Sequence, residues 1–237
     1  MRVRLAFFVS SIISLFFYYF VERENTKAQL QQELLRAEQL QKENFKAQLE
    51  LLKNQVDPHF LFNSLNVLNS LIYKDQQQAS DFLNQLSTVY RLTLDNSAKP
   101  VVTLQDELQL VEAYIFLMQT RLGNKLQFQI NLPPESMSKA LPSAALQMLI
   151  ENAIKHNGST TKKPLQIRIY AENDSVIVEN DLQPRTTPVT STKVGLNNII
   201  SRYRYLSDRP VRIEKTAQTF RVVLPLLPLD RYEDATY

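Results

Sequence analysis

The hydrophobic period of this chain changes once, near Lys125, and that change limits its fold more than any other feature. Before it, apolar residues recur every three or four positions, so 58–73, 79–96 and 104–122 read as amphipathic helices. Thr103 with Asp106 and Glu107 reads as an N-cap followed by first-turn acids, and Gly123 stops the third helix. After it, KLQFQINL alternates as a half-buried strand does. A helix over 142–157 follows, with Leu146, Leu149, Ile150, Ala153 and Ile154 on its apolar side. PLQIRIYAE and SVIVEN, joined through Asn173 and Asp174, read as a hairpin. A polar, proline-bearing loop over 181–193 leads to a helix over 195–206, and VRIEKT and TFRVVLPLL close as strands. The order implies an α+β fold, a mixed sheet with helices on one face.

The stretch 22–55 holds no glycine or proline and is rich in strong helix formers. Leu30, Leu34, Ala37, Gln41, Phe45, Leu49, Leu52 and Val56 follow spacings of 4, 3, 4, 4, 4, 3 and 4. That is a coiled-coil seam with a stutter near Gln41. A stripe of this kind needs a partner to bury it, so a dimeric stalk is expected in preference to a solvated single helix. Upstream, 5–21 is an uncharged run of 17 residues, the short end of what spans a bilayer. Arg2 and Arg4 flank it, Tyr18 and Tyr19 sit where an interfacial belt falls, and no small-residue cleavage site follows. It reads as a membrane anchor in contact with lipid rather than a cleaved signal peptide, and further spans upstream remain open.

Composition excludes several classes. There is no cysteine, hence no disulfide framework, and the two histidines lie far apart with no carboxylate cluster to complete a metal centre. A net charge of +3, with no basic run, does not point to direct nucleic-acid binding.

One of those histidines lies in QVDPHFLFNSLN. At 100° per residue, Asn63, Asn66 and Ser70 fall within about 40° of His59, while Phe60, Leu61, Leu65, Val67, Leu68, Leu71 and Ile72 fill a wide apolar arc. Asp57 and Pro58 suit an N-cap and a first helical residue, or else a kink in one continuous helix. The pattern fits a bundle helix that keeps one polar strip for a visiting partner, and equally an inert surface histidine.

QVDPHFLFNSLN resembles the phosphoacceptor motif of sensor histidine kinases of the LytS/YehU type, and LPSAALQMLIENAIKHN resembles the asparagine box of the GHKL ATP-binding fold. The resemblance spans about 55–227. Together with the anchor and seam above, it gives a transmembrane segment over 1–21, a coiled-coil linker over 22–55, and a helical-hairpin dimerisation and phosphoacceptor domain over 56–123. A GHKL-type α/β sandwich over 124–229 and a tail over 230–237 follow. It implies that His59 accepts phosphate from ATP, with Asn63 beside it, and passes it to an aspartate of a response regulator of LytTR type. It implies that Asn152 coordinates Mg²⁺ between the ATP phosphates and that Lys155 adds charge there, with His156 touching ribose or phosphate. Asn180 stands where the family's adenine-binding Asp falls, and an asparagine oxygen can still accept from the adenine amino group. Gly195, Leu196 and Asn198 match the second glycine box, where Lys193 replaces a glycine. Gly195 opens a helix N-terminus suited to anions, and Arg202 on that helix reads as a structural pair. The +1 position, usually an acid in the commonest histidine kinases, is Phe60; Asp57 is a candidate base, and Glu151 an activating or surface acid. The expected product is a homodimeric kinase at the inner, cytoplasmic membrane with its kinase domains in the cytoplasm. With only three glycines in the chain, a pseudokinase of the same fold acting as a regulated binding module is the alternative. A membrane-tethered scaffold is the third.

Overall fold

The computed structural model describes residues 58–97, 99–184 and 194–231, together with scattered positions between 15 and 39. The described positions from 15 to 39 are helical, and no helix among the described residues is long and apolar enough to cross a membrane. Most of the expected membrane segment and seam, together with Asp57 and Lys193, lies outside the described residues. The chain divides into two compact units, Met1–Asn54 and Gln55–Tyr237.

The second unit begins with a helical hairpin, α1 (Pro58–Ile72) and α2 (Gln76–Ser97). Strand β1 (Val101–Thr103) follows, then α3 (Leu104–Leu122). Thr103 caps α3 as expected, its hydroxyl accepting from the Asp106 amide at 3.0 Å. Gly123 ends it at φ 60°, where a side chain would be strained. Helix α3 packs on α2 with Leu110, Val111, Ala113 and Leu117 buried.

The main sheet is mixed, in the order β2 (Leu126–Asn131), β4 (Leu165–Glu172), β5 (Ser175–Asp181), β7 (Thr219–Pro225), β6 (Arg212–Lys215). Only β2 and β4 run parallel; the other pairs are antiparallel. Asn173 and Asp174 turn the β4–β5 hairpin with φ 49° and 59°, the left-handed pair a tight turn demands. Alternation in β4 sends Leu165, Ile167 and Ile169 inward, towards the core shared with α4 (Ala145–His156) and α5 (Val194–Leu206). The opposite face is a polar ladder. Arg168 meets Glu179 at 2.8 Å and Asp181 at 2.9 Å, and the Arg221 guanidinium lies 5.8 Å from the Tyr170 ring centre.

Two features depart from the sequence reading. A second sheet pairs β1 with β3 (Ala140–Pro142), antiparallel with Val101 opposite Pro142. Three-residue strands carry too little alternation to read. And Glu107, a first-turn acid as expected, is fully buried, which the sequence did not show.

Candidate active site

His59 is the second residue of α1 and is exposed. One turn on, the Asn63 amide nitrogen lies 3.0 Å from His59 Nε2. With the amide donating, Nε2 is the accepting nitrogen and Nδ1 carries the proton. The next residue faces elsewhere. Phe60 stacks on the buried Tyr114 of α3, with centroids 5.6 Å apart and planes at 29°, and lies 6.2 Å from Tyr90 of α2. The buried Ser64 hydroxyl donates to the Phe60 carbonyl at 2.8 Å. The aromatic stack therefore pins the first turn while the histidine stays at the surface. The exposed arc of α1 is wider than the polar strip, because Phe62, Leu65 and Ile72 are also exposed.

A cavity of about 480 Å³ lies between α4, the sheet and α5, within the range of small-ligand sites. Its walls include Leu149, Ala153, Val178 and Val222; Asn152, His156, Asn180 and Leu196 also line it. The Asn180 amide donates to the Asp181 carbonyl at 2.8 Å, which leaves its oxygen as the accepting end. Asp181 itself turns to Arg168. Gly195 packs closely on Asn152: a Cβ there would sit 3.3 Å from Asn152 Nδ2.

Two expected residues do not line the cavity, and a third is not described. Lys193 is outside the described residues. Lys155 is exposed and does not line the cavity. On the α4 wheel Leu149, Ala153 and His156 lie between about 40° and 100° from Asn152 on one side, and Lys155 about 60° away on the other. Asn198 is exposed, and its neighbour Asn197 lines the cavity instead.

Three residues were missed. Lys215 and Phe220 enter from β6 and β7 because register sets Asn180 opposite Phe220, and Phe220 opposite Lys215. Both strands were legible, their alignment was not. Asn157, at the C-cap of α4, donates to the Ala153 carbonyl at 2.9 Å and accepts from the Gln183 amide at 2.8 Å, tying the exit of β5 to the helix.

Behind the cavity, Glu107 of α3 accepts from the Ala144 and Leu146 amides, both at 2.9 Å. Burial pushes its carboxyl up to about 7, against the opposing pull of those amides, the Gln147 amide and Arg202. Arg202 donates to the Ser143 carbonyl at 2.7 Å, the structural pairing expected of it. Glu151 accepts from Gln147 at 2.9 Å.

Among the described residues no group of three or more His, Cys, Asp or Glu could hold a metal. An asparagine oxygen at position 152 suits a hard cation that keeps waters and takes its other oxygens from phosphates, so the residues fit nucleotide-borne Mg²⁺.

The histidine kinase family model matches residues 47–126. The sensor histidine kinase BtsS of Escherichia coli (strain K12) is 35% identical over 162 residues, 67% of this chain and 29% of that protein. The sensor protein LytS of Staphylococcus haemolyticus is 35% identical over 171 residues, again 67% of this chain and 29% of that protein. The chain thus spans under a third of the length of these relatives. Among solved structures, the Acinetobacter baumannii histidine kinase AdeS aligns at 14% identity with a TM-score of 0.38, covering 71% of this chain and 98% of that one.

Proposed function

Because this chain carries the histidine kinase family's region and is a relative of the LytS and BtsS sensor kinases, we propose that it phosphorylates His59 from ATP and passes the phosphoryl group to a response-regulator aspartate. The observation that carries the reading is the cavity: Asn152 and His156 of α4 and Asn180 of β5 converge on one apolar-walled space. In the proposed site Asn180 accepts from the adenine amino group, and Asn152 holds Mg²⁺, which neutralises phosphate charge when bound. His156, Leu196 and the α5 N-terminus at Gly195 border the nucleotide. Lys193 and Asn198 belong to the second glycine box of the family's pattern on that side.

At His59 the unprotonated ring nitrogen attacks the γ-phosphorus in line. The N–P bond forms, the bond to the β,γ-bridging oxygen breaks, and ADP departs with that electron pair. The ring is left cationic and loses its remaining proton to water. Asn63, whose amide nitrogen meets Nε2, is placed to orient the ring. The exposed Phe62, Leu65 and Ile72 of α1, with Leu83 and Leu94 of α2, support a homodimer through the hairpin. A LytTR-type regulator, a membrane anchor in 1–21, a stalk over 22–55 and a functional division at 123/124 complete the proposal.

The test is incubation of the full chain in detergent with γ-labelled ATP and Mg²⁺, scoring acid-labile, base-stable phosphate. His59→Ala should abolish it and leave ATP binding unchanged; phosphate persisting on that variant would refute the assignment. The exposure of Lys155 away from the cavity favours the second reading, a pseudokinase that acts as a regulated binding module. ATP bound without phosphate gained would select it.

A further inference from the structure

Helix α4 starts in an unusual way. Ala144, the residue before it, has φ 59° and ψ 16°, a left-handed conformation that alanine rarely adopts, and no side chain of its own caps the helix. A helix start leaves four amides without intrahelical partners. Here two of the amides at that start are met by Glu107, which lies 37 residues earlier in the chain than Ala144. Each carboxylate oxygen takes one amide.

The start of α4 needs an acceptor here, because removing it leaves the Ala144 and Leu146 amides without a partner at a largely buried place. What a charged, two-pronged acceptor adds is a fixed relation between the two elements it joins. Those elements are informative. Tyr114 lies seven residues after Glu107, within about 20° on the same stripe of α3, and it holds Phe60 beside His59. Asn152 lies seven residues into α4, about 10 Å along the axis from Ala145. Arg202 completes the junction from α5, bonding Ser143 just ahead of Ala144, and α5 is the helix whose Gly195 abuts Asn152.

We propose that Glu107 is a positioning residue for phosphoryl transfer: it clamps the N-terminus of the helix bearing Asn152 to the helix that holds Phe60 beside His59. The inference rests on the kinase reading above. A tilt of α4 by about 5° around its clamped end moves Asn152 by roughly 1 Å, and a misplacement of that size can cost a reaction about a hundredfold. The cavity itself, built from α4, α5 and the sheet, keeps its lining residues in such a tilt. Transfer should therefore suffer more than metal-free ATP binding.

The test compares unmodified full-length protein with Glu107→Met and Glu107→Gln. Methionine fills the volume but accepts no hydrogen bond; glutamine keeps one accepting oxygen and turns an amide towards the other donor. Melting temperature, metal-free ATP affinity by calorimetry, and the initial rate of phosphohistidine formation at saturating ATP are measured. The expected result for Glu107→Met is a melting temperature lowered by a few degrees, metal-free ATP affinity within about threefold, and a rate lowered tenfold or more, with Glu107→Gln between it and the unmodified protein. A merely structural role would lower rate and affinity together, in step with the folded fraction. An unchanged rate in folded Glu107→Met overturns the inference, as does parallel loss of rate and affinity. Should Glu107→Met not fold, Glu107→Gln decides by the same two criteria. Unmodified protein that takes up no phosphate sinks the kinase reading and this inference with it; a difference confined to the variants bears on Glu107 alone.

Discussion

Substituting Gly195 by alanine should separate stability from nucleotide binding. The position opens α5, and its missing Cβ would stand 3.3 Å from Asn152 Nδ2, 3.7 Å from Oδ1 and 3.9 Å from Cγ. Carbon contacts relax at roughly 3.5–4.0 Å, so the asparagine must give by a few tenths of an ångström. The backbone gains from the change: alanine lowers the entropy of the unfolded chain and suits a helix better, by about 0.4–1 kcal/mol. The asparagine loses, because ligand positions around a bound cation tolerate only about 0.2 Å. The expected outcome is a melting temperature unchanged or a few degrees higher, and affinity for Mg²⁺–ATP reduced about tenfold, equivalent to about 1.4 kcal/mol. Titration calorimetry with ATP, with and without Mg²⁺, reads the second quantity, and the loss should be concentrated in the Mg²⁺-dependent part. Mg²⁺–ATP affinity equal to that of the unmodified protein would refute the placement of Asn152 at the metal. A joint fall in stability and metal-free binding would show that Gly195 only spaces the two helices.

Asn152→Ala should abolish Mg²⁺-dependent ATP binding while the far-UV circular dichroism stays that of the unmodified protein; retained affinity removes Asn152 from the site. Glu107 should also give stability a pH dependence. Its carboxyl titrates near 7 in the folded chain against an ordinary 4.5, so the folded form holds more protons between those values. Its contribution is therefore full below about pH 4.5 and is lost as pH rises to about 7, on the order of 3 kcal/mol in all. Glu107→Gln should flatten that decline in denaturant titrations at pH 5 and pH 8, and parallel slopes would contradict it. Leu65→Asp with Phe62→Asp should convert a dimer to monomers in sedimentation velocity at micromolar concentration, whereas a dimer of unchanged strength would place the interface off α1.

Local chemistry was readable wherever a partner lay close in sequence. Thr103 and Gly123 bounded α3, and the left-handed pair Asn173 and Asp174 marked the hairpin. The histidine helix, the asparagine-box helix and the alternating strands followed from period alone. What failed to show depended on partners far along the chain. Glu107 looks like any first-turn acid until α4 starts against it. Lys215 and Phe220 enter the cavity only through register across three strands, which neither strand's own pattern contains. Lys155 shares a nominal helix face with Asn152 but falls on the far side of it from the cavity, a distinction that needs the cavity's position. Phe60, read as one more apolar residue of the wheel, proves to be an anchor because Tyr90 and Tyr114 meet it from two other helices.

The small β1–β3 sheet and the Glu107 clamp also order events during synthesis. Val101 waits for Pro142, and Glu107 waits for Ala144 and Leu146. At roughly 5–20 residues per second, the intervening forty or so residues take about 2–8 s to emerge from a ribosome. For that interval α3 has its hairpin neighbours but not the helix and strand that cover its other side, and Leu104 and the Glu107 carboxylate stay in water. The nascent chain is then most exposed to aggregation and most in need of a chaperone. A ribosome that pauses before residues 140–146 have left its exit tunnel would prolong that exposure, and one that pauses later would not.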